Sequence, residues 1–209
     1  GADVIWQIGT GYFGCRTTDG RFDPKRFAEV IAAVPEIKAI EIKLIQGAKP
    51  GKGGLLPAAK ITAEIAEARG IPVGQDCASP PRHSAFSDID SMLDFVEKLS
   101  ELSGGLPVGI KSAVGETNFG IDLARQMADS DRGVDFITID GGEGGTGAAP
   151  LVFSEHVALP FKLAFSRVYR EFANVELADQ VVFIGAGKLG FPGDALLAFA
   201  LGCDMINVG

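Results

Sequence analysis

Histidine, cysteine and clustered basic residues are all scarce in this chain, and each scarcity removes a class of function. Among 209 residues the only histidines are His83 and His156. Neither has a partner at metal-ligand spacing, so neither marks a metal centre, and both read first as structural, with ligand contact the alternative for His83, in a mouth-side loop beside Arg82. Cysteine is limited to Cys15, Cys77 and Cys203. Their separation excludes a CxxC-type metal motif, and an odd count argues against a disulfide framework, so we read them as reduced thiols in a cytoplasm. Lys and Arg number 19 against 27 Asp and Glu, a formal charge of -8. Without a basic block, neither nucleic acid nor an anionic membrane is the main partner. No signal peptide and no bilayer-length apolar run occurs. A GxxxxGK[ST] motif is missing too, which removes the P-loop for nucleotide triphosphates. Cys77 lacks an adjacent base, and Ser79 and Ser84 lack a nucleophile elbow. Cofactor chemistry on a small molecule is left.

What the chain does have is a hydrophobic share of 46%, enough for a full core, and no linker that would split it, so one domain is expected. Val4 to Ile8 reads as a strand running into Gly9-Thr10-Gly11, followed by a helix capped by Asp23 with Pro24 first and Phe27, Val30, Ile31 and Val34 on one face. Ala39 to Ile45 is the second strand; after a polar loop, a helix from Thr62 to Arg69 stops at Gly70. Ile71 to Ser79 reads as a weaker third extended piece. A helix opening at Ser87 ends at Gly104-Gly105, and Pro107 to Lys111 forms the next strand. Beyond a helix around Thr117 to Asp129 comes the run VDFITIDGGEGGTGAAP, in which Val134 to Ile139 is a buried strand ending in Asp140 and a loop of glycines. A helix near Leu159 to Phe172, a strand at Val181 to Ile184, a helix from Pro192 and a strand at Met205 to Val208 complete the series.

Strands that are apolar throughout and alternate with helices imply a covered parallel sheet, hence an α/β fold. A doubly wound sheet concentrates its phosphate loop at the first strand. Here functional-looking loops follow nearly every strand, which favours a (β/α)8 TIM barrel with one site at the strands' C-terminal mouth. Seven strand-like segments are found against the eight of a closed barrel, so the barrel is expected to be incomplete, with its first strand upstream of Gly1. Both ends look cut, and the chain reads as a fragment of a longer polypeptide.

Three glycine loops end consecutive strands: GGEGGTG, GAGKLG and Gly209. Barrels commonly build a phosphate site from the last two of these loops and a helix N-terminus. Lys111 closes the strand PVGIK and points into the mouth, where its charge can stabilise negative charge on a reduced flavin ring. Lys43 sits comparably in EIKLIQ, with pairing to Glu41 as its alternative. In QGAKPGKGG, Lys49 between Ala48 and Pro50 suits an anionic substrate, whereas Lys52 and Lys60 read as a solvated face; Arg69 can add a bidentate carboxylate clamp.

The segments IEIKLIQGAKPGKGGLLP, SPPRHSAF and IDGGEGGTGAAP resemble the FMN-binding barrel of the glutamate synthase family, and the resemblance extends across essentially the whole chain. It implies a barrel that binds FMN and reduces the imine of 2-oxoglutarate and ammonia to glutamate. It also implies that Asp140, Gly141, Gly142, Gly144, Gly145, Thr146 and Gly147, with Gly185, Gly187 and Gly209, hold FMN. Lys111 and Gln7 would lie near the flavin ring, and Lys49 and Arg69, with Lys43 nearby, would serve the 2-oxo acid. Leu55 stands where the large enzymes commonly carry glutamine, and Asp140-Gly141-Gly142-Glu143 where they carry a histidine-aspartate pair. These departures resemble the compact relatives, including N-methylglutamate synthase subunits. The cysteines of a 3Fe-4S iron-sulfur cluster, which in the family follow the final strand, are not in this sequence, nor is an amidotransferase domain; ammonia-supplying and electron-donor subunits are the implied partners. A non-catalytic FMN-barrel module and a 2-hydroxy-acid oxidase are the alternative readings, the latter opposed by the lack of a catalytic histidine at a strand end.

Overall fold

The structure is a computed structural model and describes residues 1–143 and 149–208. Its internal contacts form two compact units, Gly1–Leu44 with Gly51–Pro107, and Ile45–Pro50 with Val108–Gly209.

In the first unit, strand β1 (Val4–Ile8) is followed by helix α1 (Pro24–Ala33), which starts because the Asp23 carboxylate accepts the N–H groups of Lys25 and Arg26 ahead of Pro24. Strand β2 (Ile37–Lys43) runs parallel to β1, in a register that sets Gln7 opposite Glu41. Of the face anticipated on α1, Phe27 is buried, whereas Val34 has become the exposed C-cap. An excursion then carries β3 (Leu55–Leu56), α2 (Ala63–Arg69) and β4 (Cys77–Ala78), the two short strands pairing antiparallel. Thr62 caps α2, and Gly70 ends it with φ at 63°. Helix α3 (Ile89–Ser103) opens with a capping box between Asp88 and Ser91 and buries Met92, Leu93, Phe95, Val96 and Leu99. Trp6, Phe22, Phe27 and Phe95 join in a chain of ring contacts that ties β1, α1 and α3 together.

The third extended piece expected at Ile71 to Ser79 is not a barrel strand. Ile71 turns into a local apolar cluster with Ile61 and Ala66, Val73 is exposed, and Gly74 takes φ at 75°. Pro72 has no N–H for a ladder and Gly74 breaks the extended run, so only Cys77 and Ala78 pair, in the opposite sense to the other strands. Among the described residues the parallel strands therefore number six rather than seven.

The second unit is a regular series: β5 (Val108–Ser112), α4 (Asn118–Ala128), β6 (Phe136–Asp140), α5 (Phe161–Asn174), β7 (Val182–Ala186), α6 (Pro192–Ala200) and β8 (Met205–Asn207). Each of β5 to β8 pairs parallel with the next, so all four send their C-terminal ends the same way. Every residue of β6 is buried, consistent with its continuous apolar run. Phe161, Phe165, Phe172 and Phe183 pack where α5 covers β7. Gly185 belongs to that packing, because a Cβ there would stand 2.8 Å from the Phe161 ring and 2.9 Å from Cys203 Sγ.

Candidate functional site

In the second unit the polar groups gather at the strands' C-terminal ends. The apolar run of β6 stops at Asp140, whose side chain is 8% exposed, and Lys111 on neighbouring β5 is 12% exposed. Their charged atoms, Nζ and Oδ2, are 3.6 Å apart. The same oxygen accepts the Gly47 N–H at 2.8 Å. Gly47 belongs to the short Ile45–Pro50 segment that carries Lys49, and that segment also meets β5 through a hydrogen bond from Ile45 N–H to the Lys111 carbonyl at 3.4 Å. No side chain fits at Gly47, since a Cβ would stand 1.9 Å from the Gly141 carbonyl oxygen. Lys49, Lys111 and Asp140 are thus brought to one end of this unit by residues far apart in sequence.

The glycines after β6 behave differently from a bare anion cradle. Gly141 N–H donates to the Ala186 carbonyl at 2.8 Å and Gly142 N–H to the Leu159 carbonyl at 3.0 Å. Both amides are therefore used within the protein. Glu143 has a role that the sequence did not reveal. Both its carboxylate oxygens lie within 2.9 Å of the Phe161 N–H, at the start of α5, where Pro160 provides no side-chain cap. A carboxylate at a helix N-terminus satisfies an orphan donor and meets the positive end of the dipole. Gly144, Gly145, Thr146, Gly147 and Gly209 lie outside the described residues.

After β7 the chain passes through Gly187, at φ 130°, and Lys188, whose ammonium pairs with Glu155. Helix α6 begins without a side-chain N-cap at Phe191. A glycine turn followed by a helix start without a side-chain cap is chemically compatible with a phosphate group. Asp194 in the first turn of α6 is the one acid there.

The first unit holds Gln7, Lys43 and Arg69. Gln7 Nε2 donates to Glu41 Oε1, so Glu41 is engaged by its cross-strand partner. Arg69 places its guanidinium 4.8 Å from the centre of the Phe13 ring, and Arg16 lies at 5.6 Å from the same ring. Arg16 also donates from Nη1 to the Gly11 carbonyl, closing the loop after β1. His83 is buried, and both its ring nitrogens are engaged. One lies 2.9 Å from the Lys43 carbonyl, which can only accept, so Nε2 carries the proton. Nδ1 then accepts from the Tyr12 hydroxyl at 3.1 Å, and that oxygen in turn accepts the N–H groups of Ser84 and Ala85. Burial lowers the pKa of His83 and raises that of Tyr12, keeping both neutral. The network holds the end of β2 at Lys43, with Tyr12 at a positive φ of 47°.

Comparison with known proteins decides the family. A profile described as "Conserved region in glutamate synthase" matches residues 1–209. The chain belongs to the glutamate synthase family. It is 40% identical over 208 residues to the glutamate synthase large subunit-like protein YerD of Bacillus subtilis (strain 168), covering 100% of this chain and 39% of that protein. It is 38% identical over 172 residues to an archaeal glutamate synthase [NADPH] of Methanocaldococcus jannaschii, covering 82% of this chain and 33% of that protein. This glutamate synthase region thus spans well under half the length of those relatives. Among solved structures, an L230A mutant flavocytochrome b2 with benzoylformate aligns with a TM-score of 0.55 at 16% identity, over 98% of this chain and 42% of that one. At that identity the likeness concerns the fold alone, and it is to a TIM barrel, in agreement with the parallel β/α series.

Proposed function

We propose that this chain is the flavin-binding part of a glutamate synthase-type oxidoreductase that reduces 2-iminoglutarate, formed from 2-oxoglutarate and ammonia or an amine, to glutamate. The observation that carries the reading is the family match across all of residues 1–209. Bound FMN would supply the hydride for the imine carbon. Lys111 keeps a cation at the end of β5, where it can favour negative charge on the pyrimidine side of the ring. Gln7, at the end of β1, is assigned to the flavin ring by resemblance. By resemblance Lys49 and Arg69, with Lys43, are assigned to the carboxylates of the 2-oxo acid. The turn at Gly187, after β7, and the start of α6 take the FMN phosphate, and Gly185, inside β7, is assigned there by resemblance alone. The glycines from Gly144 to Gly147, with Thr146, are assigned to the ring and ribityl chain by resemblance.

Electrons come from a donor subunit or from NADPH, the nucleotide named for the archaeal relatives. Ammonia comes from solution or from a supplying partner, in a cytoplasm. An iron-sulfur cluster would need ligands outside this sequence. The full-length protein purified with FMN should be yellow, bleach on reduction, and recover its flavin spectrum on addition of 2-oxoglutarate with ammonia or an amine. A colourless protein that binds no added FMN would overturn the proposal.

A further inference from the structure

We infer that Asp140 is a positioning residue that fastens the Lys49 segment and the Lys111 ammonium to the end of β6 through a single carboxylate oxygen. The flavin part of this inference rests on the function proposed above; the anchoring part does not. Three observations carry it. Asp140 Oδ2 accepts the Gly47 N–H at 2.8 Å and lies 3.6 Å from Lys111 Nζ, so one atom serves two elements. The carboxylate is buried, and a buried charge must be compensated; here the two partners supply the compensation. The approach is close enough that a Cβ on Gly47 would lie 1.9 Å from the Gly141 oxygen and 2.8 Å from the Asp140 carbonyl oxygen, so the segment is seated on β6 by its backbone.

Two consequences follow. First, Ile45 is tied to β5 and Gly47 to Asp140, and Lys49 N–H closes a turn onto the Gln46 carbonyl at 3.1 Å, so the direction of Lys49 depends on the Asp140 anchor. Second, the carboxylate beside Lys111 offsets its positive charge. The ends of β5 and β6 then present a balanced pair rather than a net cation, which moderates the pull on an electron-rich flavin ring. Asparagine at position 140 would keep an acceptor for Gly47 and leave Lys111 without its counter-charge. Alanine would remove both.

The test uses full-length protein in two states. In the flavin-free state, hydrogen exchange is followed in peptides covering residues 45–50, with the β7 peptide as a control for folding. Asp140→Ala should accelerate exchange in 45–50 at least about tenfold and leave β7 unchanged, whereas Asp140→Asn should stay near wild type, since tenfold corresponds to a lost anchor of ordinary hydrogen-bond strength. If Asp140→Ala fails to fold, Asp140→Ser, too short to hold Gly47 in the same way, replaces it. Wild-type exchange in the substituted protein overturns the anchoring role. In the FMN-loaded state, sulfite affinity at the flavin reports positive charge near the ring. Asp140→Asn should tighten sulfite binding about tenfold, and Asp140→Asn combined with Lys111→Met should abolish that gain. An unchanged sulfite affinity in Asp140→Asn overturns the charge-balancing role. If the wild type binds no flavin while Asp140→Ala still loosens 45–50, the anchoring role is supported and the proposed function is the part that has failed.

Discussion

Cys15 and Cys203 show how strongly position governs a side chain whose sequence neighbourhood is unremarkable. Burial pushes both thiols up to about 12, with Asp23 adding to the effect at Cys15 and Asp204 at Cys203. Cys77 is half-buried, and all three are free thiols. At pH 8 an aromatic disulfide reagent should therefore label Cys77 well before the other two, with Cys15 and Cys203 reacting only as the protein is unfolded. Mass spectrometry of the labelled peptides checks this, and equal rates at the three sites would contradict it. Asp140 is the opposite case at the same scale. Its burial is tolerated because a backbone N–H and an ammonium converge on it, and Gly47 allows the backbone to come near enough to do so.

At the scale of elements, the starts of α1, α2 and α3 and the ends of α2 and α3 obey signals that can be read along the chain. Asp23-Pro24, Thr62, Asp88, Gly70 and Gly104 stop or start helices where their side-chain chemistry or φ requirement demands. Helix α5 is different, since the acceptor at its start is Glu143, 18 residues earlier than Phe161. Glu143→Ala should destabilise the protein by about 1 kcal/mol, while Glu143→Gln, which keeps an acceptor, should lose only part of that. Denaturant titration of the two variants tests the difference; equal losses would remove the capping role.

The end of β2 depends on His83. Its pKa in the folded chain lies below the ordinary 6.5, so the unfolded chain binds the proton more readily. The neutral imidazole's contribution is complete above about pH 6.5 and is lost as pH falls toward the lowered value, at no more than about 1.4 kcal/mol per pH unit. The gap in stability between wild type and His83→Asn should therefore narrow on going from pH 7.5 to pH 5. A gap that is constant or widens would show that protonation of His83 does not weaken the network with Tyr12 and Lys43.

At the scale of the molecule, the repeated strand-and-helix series places the C-terminal ends of β5 to β8 on one side of their unit, and cofactor chemistry is expected there. No helix among the described residues is long and apolar enough to cross a membrane. Titration of the 209-residue chain with FMN should give saturable quenching of flavin fluorescence, and Lys111→Met should retain FMN but lose most of its affinity for sulfite. Full sulfite affinity in that variant would place the flavin ring away from Lys111.

The sequence by itself determined the α/β class, several helix ends and the family. These depend on local quantities: apolar runs of strand length, caps with short-range chemistry, and long distinctive segments such as IEIKLIQGAKPGKGGLLP. Only the tertiary structure decided that Ile71 packs into a local cluster instead of opening a strand. It also decided that Asp140 reaches Gly47 across 93 positions and that Glu143 caps a distant helix. An apolar residue's hydrophobicity is the same in a strand and in a satellite cluster, and a carboxylate's chemistry is the same on a surface and against a buried amide. Which of these applies is set by what the folded chain brings within a few ångströms, and no local pattern encodes that.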